Sequence, residues 1–175
     1  GSYLLESLAS GGHSLRILAR KPNINYETVV CNLENEIIPE SALDSIDTVF
    51  HMAGYAHDMA NTSKKEHIYR KLNVNATVNL IKIANSKGVK RFIYISSVKA
   101  GGAMLSNRCM SEDDQEIPKD IYGLTKREAE MKVLDLGRKF NMHVAIIRPT
   151  LVYGLGMKGN LSLMLNGIQG GWFPP

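Results

Sequence analysis

Tyr122 and Lys126 stand four residues apart in the stretch IPKDIYGLTKREAE, residues 117–130. At that spacing on a helix, two side chains share a face, so the phenol and the ammonium can be neighbours. A tyrosine phenol has a reference pKa of about 10, too high for a base near neutrality. A nearby cation favours the phenolate and brings that value down, and a place in the first turn of a helix adds the positive end of the dipole. Ser97 closes the apolar run RFIYISS and supplies a hydroxyl that can hold a substrate oxygen beside the phenol. Together the three groups form a device for moving a proton on or off a sugar or alcohol hydroxyl. That chemistry pairs with hydride transfer to a nicotinamide. The chain has seven tyrosines, so composition alone makes one such pair unsurprising. The reading depends on the elements that carry it.

Those elements alternate. Tyr3, Leu4, Leu5 and Leu8 predict an opening helix stopped by Gly11-Gly12. Strands are expected over Ser14 to Ala19, Tyr26 to Leu33, Asp47 to Gly54, Arg91 to Ser97 and His143 to Pro149. Helical segments are expected over Ser41 to Ile46, Glu66 to Ser86 with Gly88 as its stop, Tyr122 to Phe140, and Leu161 to Leu165. Such alternation means βαβ units and a parallel sheet. Ligands of these sheets bind beyond the carboxyl ends of the strands. Ala53-Gly54, Ser96-Ser97 and Pro149-Thr150 each follow a strand, and Tyr122 follows the loop after Ser97. Four elements therefore aim at one edge.

The rest of the composition narrows the field. A chain of 175 residues with 44% hydrophobic and 22% charged residues is an ordinary globular domain, or one and part of another. The net charge of +4 is mild and its basic residues are scattered, which reads as a solvated surface rather than a nucleic-acid interface. Cys31 and Cys109 lack any C-x-x-C spacing, and His51 and His57 have a poor metal spacing, so neither a disulfide framework nor a metal site is expected. No apolar run approaches the length of a membrane span, and Glu6 breaks the only apolar run near the N-terminus. A cytoplasmic setting is the expectation.

With the segments HMAGYAH, RKLNVNATVNLIKIA, RFIYISSVKAGG, YGLTK and IIRPTLVYGLG in hand, the chain resembles the extended short-chain dehydrogenase/reductases, specifically the NAD-dependent nucleotide-sugar epimerases and dehydratases. The resemblance covers nearly the whole chain and implies a Rossmann-like, doubly wound parallel sheet. Residues 1–148 would form the dinucleotide-binding domain and residues 149–175 the beginning of a small substrate lobe. Tyr122 would be the acid/base, Lys126 its electrostatic partner and ribose anchor, and Ser97 the group that orients the sugar. Met52, Ala53 and Gly54 would line the dinucleotide, Asn32 and Leu33 would lie near its adenine, Asn73 would bond within its site, and Pro149 would sit by the nicotinamide. Asn160 and Leu161 would touch the sugar diphosphate. The implied activity is hydride transfer at C4 of a UDP-hexose, as in a UDP-glucose 4-epimerase. The alternatives are an NADP-dependent reductase of a keto-sugar or small carbonyl, and a non-catalytic NAD(P) sensor. The helices over Glu66 to Ser86 and Tyr122 to Phe140 resemble the pair that packs two family members into a homodimer, although the face of Val74, Val78, Ile81 and Ala84 also suits packing on the sheet.

Three departures from the family pattern stand out. The family begins with a strand and a glycine-rich turn, whereas this chain starts at GSYLLESLASGGH. The first strand is therefore expected to be missing, and Gly1 is either the last glycine of that turn or, with Ser2, a leftover of cloning. NAD-dependent members carry an acidic residue at the end of the second strand. Here Ala19, Arg20 and Lys21 occupy that place, and Arg20 suits a 2′-phosphate, so NADP stands as the alternative to NAD. Leu151 replaces an asparagine that several epimerases use for the diphosphate.

Overall fold

The computed structural model describes residues 1–56, 65–102, 111–154 and 160–172; His57 and Cys109 lie outside this set. The chain opens with α1 (Ser2–Ser10), then β1 (Arg16–Ala19) and β2 (Glu27–Val30), a 3-10 turn at Glu40–Leu43, and β3 (Thr48–His51). A helical rod follows, made of α2 (Glu66–Tyr69), a π-helical stretch (Arg70–Asn75) and α3 (Ala76–Ser86). Next come β4 (Arg91–Ile95), a 3-10 turn at Val98–Gly101, α4 (Ile121–Lys139), β5 (His143–Ile147) and α5 (Asn160–Gln169). The side chains of Asn160 and Leu161, which open α5, are outside the described residues.

All pairings are parallel, as the alternating pattern requires. β3, β4 and β5 form one sheet in that order, with Phe92 of β4 opposite Val49 and Val144. β1 and β2 form a second, with Ile17 opposite Thr28. Among the described residues no strand joins β1 to β3. Between the two sheets is a slot of about 770 Å³ lined by Leu18 and Val29, by Val49 and His51, and by Leu5 and Leu8 of α1.

The two halves differ in packing. In the three-stranded half, Ile81 and Ala84 of α3, Phe92 and Tyr94 of β4, and Ala129 and Val133 of α4 are fully buried in one cluster. α3 and α4 lie side by side over this sheet, and α4 comes so close to β5 that a methyl at Gly137 would overlap the Val144 side chain. Most of the apolar face of the long helix lies inside the chain: Val74, Ile81 and Ala84 are buried and Val78 is half-buried. In the other half α1 buries no residue and every residue of β1 is only half-buried.

Element boundaries shift for identifiable reasons. The helix expected as one run from Glu66 to Ser86 widens into π geometry at Arg70–Asn75, a local bulge typical of functional sites. The strand expected to reach Gly54 stops at His51, which leaves Met52, Ala53 and Gly54 as exposed backbone at the sheet's carboxyl edge. β4 and β5 stay paired past their formal ends, since Ser96 N donates to Ile147 O at 2.7 Å and Val98 N to Pro149 O at 3.1 Å.

Candidate functional site

The carboxyl ends of β3, β4 and β5 meet the first turns of α4 at one edge. Asp120 caps α4, its side chain accepting from Gly123 N at 2.7 Å, as expected of an N-cap aspartate. Tyr122 therefore lies in the first turn and is half-buried. Ser97 caps the 3-10 turn after β4, its hydroxyl oxygen accepting from Lys99 N at 3.3 Å. That contact leaves the hydroxyl hydrogen of Ser97 to be donated elsewhere.

Three contacts pin this turn to α4. A Cβ built at Gly123 would lie 2.7 Å from Lys99 O and 2.9 Å from the Pro118 side chain, so only glycine permits the approach. Lys99 Nζ sits 3.3 Å from Asp120 Oδ2 and 6.0 Å from the centre of the Tyr122 ring. Arg127 Nη1 donates to Ala100 O at 3.1 Å. The Ser97 turn, the Tyr122 turn and Pro149, through its bond to Val98, are thereby brought together.

Lys126 points inward one helical turn after Tyr122. It is 3% exposed, its Nζ donates to Ile95 O at 2.7 Å, and it sits 4.1 Å from the centre of the Tyr94 ring. Burial pulls its pKa down to about 8, and Glu130 opposes the fall. Glu130 follows one further turn along and is also 3% exposed. Arg148 grips it with two bonds, Nε to Oε1 at 2.9 Å and Nη2 to Oε2 at 2.5 Å.

Below Lys126 lies His51, 3% exposed and stacked on Tyr94 at 5.7 Å between ring centres. Burial first, and the charge of Lys126 second, push its pKa to about 3, so the imidazole is neutral. The Thr77 hydroxyl donates to Asn73 O at 2.8 Å, so His51 Nε2, 2.8 Å from the same hydroxyl, is the donor in that pair.

The other candidates divide. Gly54 lies over Lys126: a Cβ there would sit 3.9 Å from Lys126 Nζ and 3.1 Å from Asn73 Oδ1. Asn73 is fully buried, and its amide accepts from Tyr55 N at 2.7 Å and donates to Tyr55 O at 3.1 Å and Thr125 Oγ1 at 3.0 Å. Its side chain thus holds the loop after β3 against α4. Gly1 reaches the same edge, its Cβ position 3.8 Å from Met52 Cε. Arg20 is exposed after β1. Asn32 closes its own loop, Oδ1 accepting from Glu34 N at 3.1 Å, and Leu33 packs against the core. Arg148, Glu130, Lys99 and His51 have site positions that the motif reading passed over. The spacing of Glu130 four residues after Lys126 was the available signal for one of them.

The edge suits a dinucleotide. Met52, Ala53 and Gly54 present exposed backbone there. Gly54 keeps the space over Lys126 clear of any side chain, and α1 aims an N-terminus without a side-chain cap at Met52, an arrangement that favours phosphate. The Ser96 hydroxyl, 4% exposed, has no hydrogen-bond partner among the described residues. Among the described residues no group of acidic, histidine and cysteine side chains could hold a metal ion, and no helix is long and apolar enough to cross a membrane.

Residues 1–171 match the model of the NAD dependent epimerase/dehydratase family. A UDP-glucose 4-epimerase of Vibrio cholerae is 40% identical over 134 residues, 75% of this chain and 41% of that protein. A 3 beta-hydroxysteroid dehydrogenase/Delta 5-->4-isomerase of Mycobacterium tuberculosis is 28% identical over 169 residues, 89% of this chain and 45% of that protein. The chain thus spans less than half the length of these relatives. Among solved structures, MoeE5 in complex with UDP-glucose and NAD superposes with a TM-score of 0.83 and 26% identity, over 97% of this chain and 58% of that one.

Proposed function

The chain belongs to the NAD-dependent epimerase/dehydratase family, and from that premise we propose that it forms the dinucleotide-binding part of a nucleotide-sugar epimerase or dehydratase acting at C4 of a UDP-hexose. Residues 1–148 are the cofactor domain in this reading, and residues 149–175 begin the substrate region. The observation that carries it is the joining of the Ser97 turn to the first turn of α4 through Gly123, with Lys126 buried beneath.

Bound NAD supplies the hydride acceptor and donor of this chemistry. Gly1, Met52, Ala53 and Gly54 would hold it, with Pro149 beside its nicotinamide end and Lys126 beneath. The protein's own work is on the proton. Ser97 donates its free hydroxyl hydrogen to the C4 oxygen of the sugar and fixes its position. Tyr122 takes the proton of that oxygen as the 4-keto sugar forms and returns it when the alcohol is restored. The ammonium of Lys126 stabilises the negative charge on the phenol during the exchange. The V. cholerae relative supports UDP-glucose as the substrate to test first, and a homodimer would use the outward face of α4, where Met131 is 64% exposed and Leu134 40%.

The test is the interconversion of UDP-glucose and UDP-galactose in the presence of NAD. Tyr122→Phe is expected to lower turnover by about 10²–10⁴-fold while cofactor binding persists. Unchanged turnover would remove Tyr122 from the chemistry. Stoichiometric NAD reduction with a 3-hydroxysteroid, and no isomerisation of UDP-sugar, would favour the reading suggested by the M. tuberculosis relative.

A further inference from the structure

We propose that Glu130, held by Arg148, is a positioning residue whose charge keeps Lys126 protonated beneath the active edge. The proposal rests on the reading of Lys126 as the cation that serves Tyr122.

Lys126 and Glu130 sit one turn apart on the same face of α4, and each is 3% exposed. Burial works against the ammonium, and among the described residues Glu130 is the carboxylate that acts on it. The other titratable groups facing Lys126 bring no compensating charge. Tyr94 of β4 is kept neutral by burial. His51 of β3 is neutral as well. Tyr122, on α4 itself, is the group that Lys126 serves. The neighbours from the helical rod and α4, Asn73 and Thr125, are uncharged and bond to each other. Without Glu130, the partners of Lys126 among the described residues are the Ile95 carbonyl and the Tyr94 ring.

Arg148 completes the device from another element. It ends the run of β5, next to Pro149, and its two bonds fix both oxygens of Glu130. Its Nη2 also donates to Gln115 Oε1 at 3.2 Å. A buried ion pair is weak evidence for stability, because desolvation offsets most of its attraction. Its placement gives this one an electrostatic use. Removing the Glu130 charge should therefore lower the pH at which Lys126 loses its proton.

The test reads Lys126 directly, by NMR titration of its side-chain 13Cε resonance, assigned by its loss in Lys126→Met. In the unaltered protein the midpoint is expected near pH 8. In Glu130→Gln it should fall by about one pH unit or more, while Glu130→Asp, which keeps the charge, should restore much of the difference. If Glu130→Gln fails to fold, the double variant Glu130→Gln/Arg148→Met, which buries no lone charge, is titrated and a fall in the same direction is expected. An unchanged midpoint in any folded variant lacking the Glu130 charge overturns the proposal. In turnover, the alkaline limb of the pH profile of Glu130→Gln should move to lower pH by the same interval, which a purely structural role would not produce. The titration is informative even if no UDP-sugar is turned over, so a failure of the functional reading is distinguishable from a failure of this one.

Discussion

Acid should weaken this fold through one imidazole. His51 is buried against Phe92 and Tyr94 and titrates near pH 3 in the folded chain, against 6.5 for an exposed histidine. Between those values the unfolded chain binds the additional proton, so stability falls as pH falls from about 6.5 toward 3 and is level above that window. At pH 4 the unfolded imidazole is about 2.5 pH units below its midpoint while the folded one is still mostly neutral. At about 1.4 kcal/mol per unit, His51 alone removes on the order of 3 kcal/mol of stability between pH 7 and pH 4. Carboxylates also contribute over this range, so the quantity to measure is a difference. His51→Gln retains a donor for Thr77 and removes the titration. Urea unfolding followed by far-ultraviolet circular dichroism should show the variant less stable at pH 7, through lost ring packing, yet losing about 3 kcal/mol less than the parent on going to pH 4. Parallel curves for the two proteins would refute the reasoning, as would a His51 ring proton that titrates near 6.5 in the folded state.

Two further perturbations test how the site is built. Gly123→Ala places a methyl 2.7 Å from Lys99 O. Overpacking of that kind costs about 1–3 kcal/mol, and turnover should fall because the Ser97 turn is pushed away from Tyr122; both a melting curve and the UDP-sugar assay check it. Asn73→Ala leaves the amide and carbonyl of Tyr55 without the Asn73 bonds that hold them. The loss is expected to be about 1–3 kcal/mol, with faster hydrogen exchange at the Tyr55 amide, measured by NMR.

Local signals carried much of the fold. The βα alternation gave parallel pairing, and Gly11-Gly12 and Gly88 marked helix ends. Asp120 before Ile121 reads as a cap once the helix is placed, and it puts Tyr122 one residue deeper in the first turn than a helix starting at Tyr122 would. What escaped the sequence depends on contacts between distant elements. Arg148 is 18 residues from Glu130, and helical periodicity shows which face a residue occupies, not what will meet it there. Asn73 was expected to bond within the cofactor site, and no spacing rule showed that its amide would tie the Tyr55 backbone and Thr125 together beside Gly54. The face of Val74, Val78, Ile81 and Ala84 suited either a partner subunit or the sheet; Val74, Ile81 and Ala84 are buried within the chain and Val78 is half-buried. The neutrality of His51 follows from its surroundings, which no spacing rule encodes.

The slot between β1 and β3 also bears on handling and association. Among the described residues β1 pairs only with β2 and β3 only with β4, so each turns a strand edge toward the same narrow, largely apolar trough. Backbone edges of this kind are templates for any extended polypeptide. An added parallel segment with small or branched apolar side chains would knit the two sheets into one, whereas at high concentration the same rims would recruit neighbouring molecules into strand-to-strand aggregates.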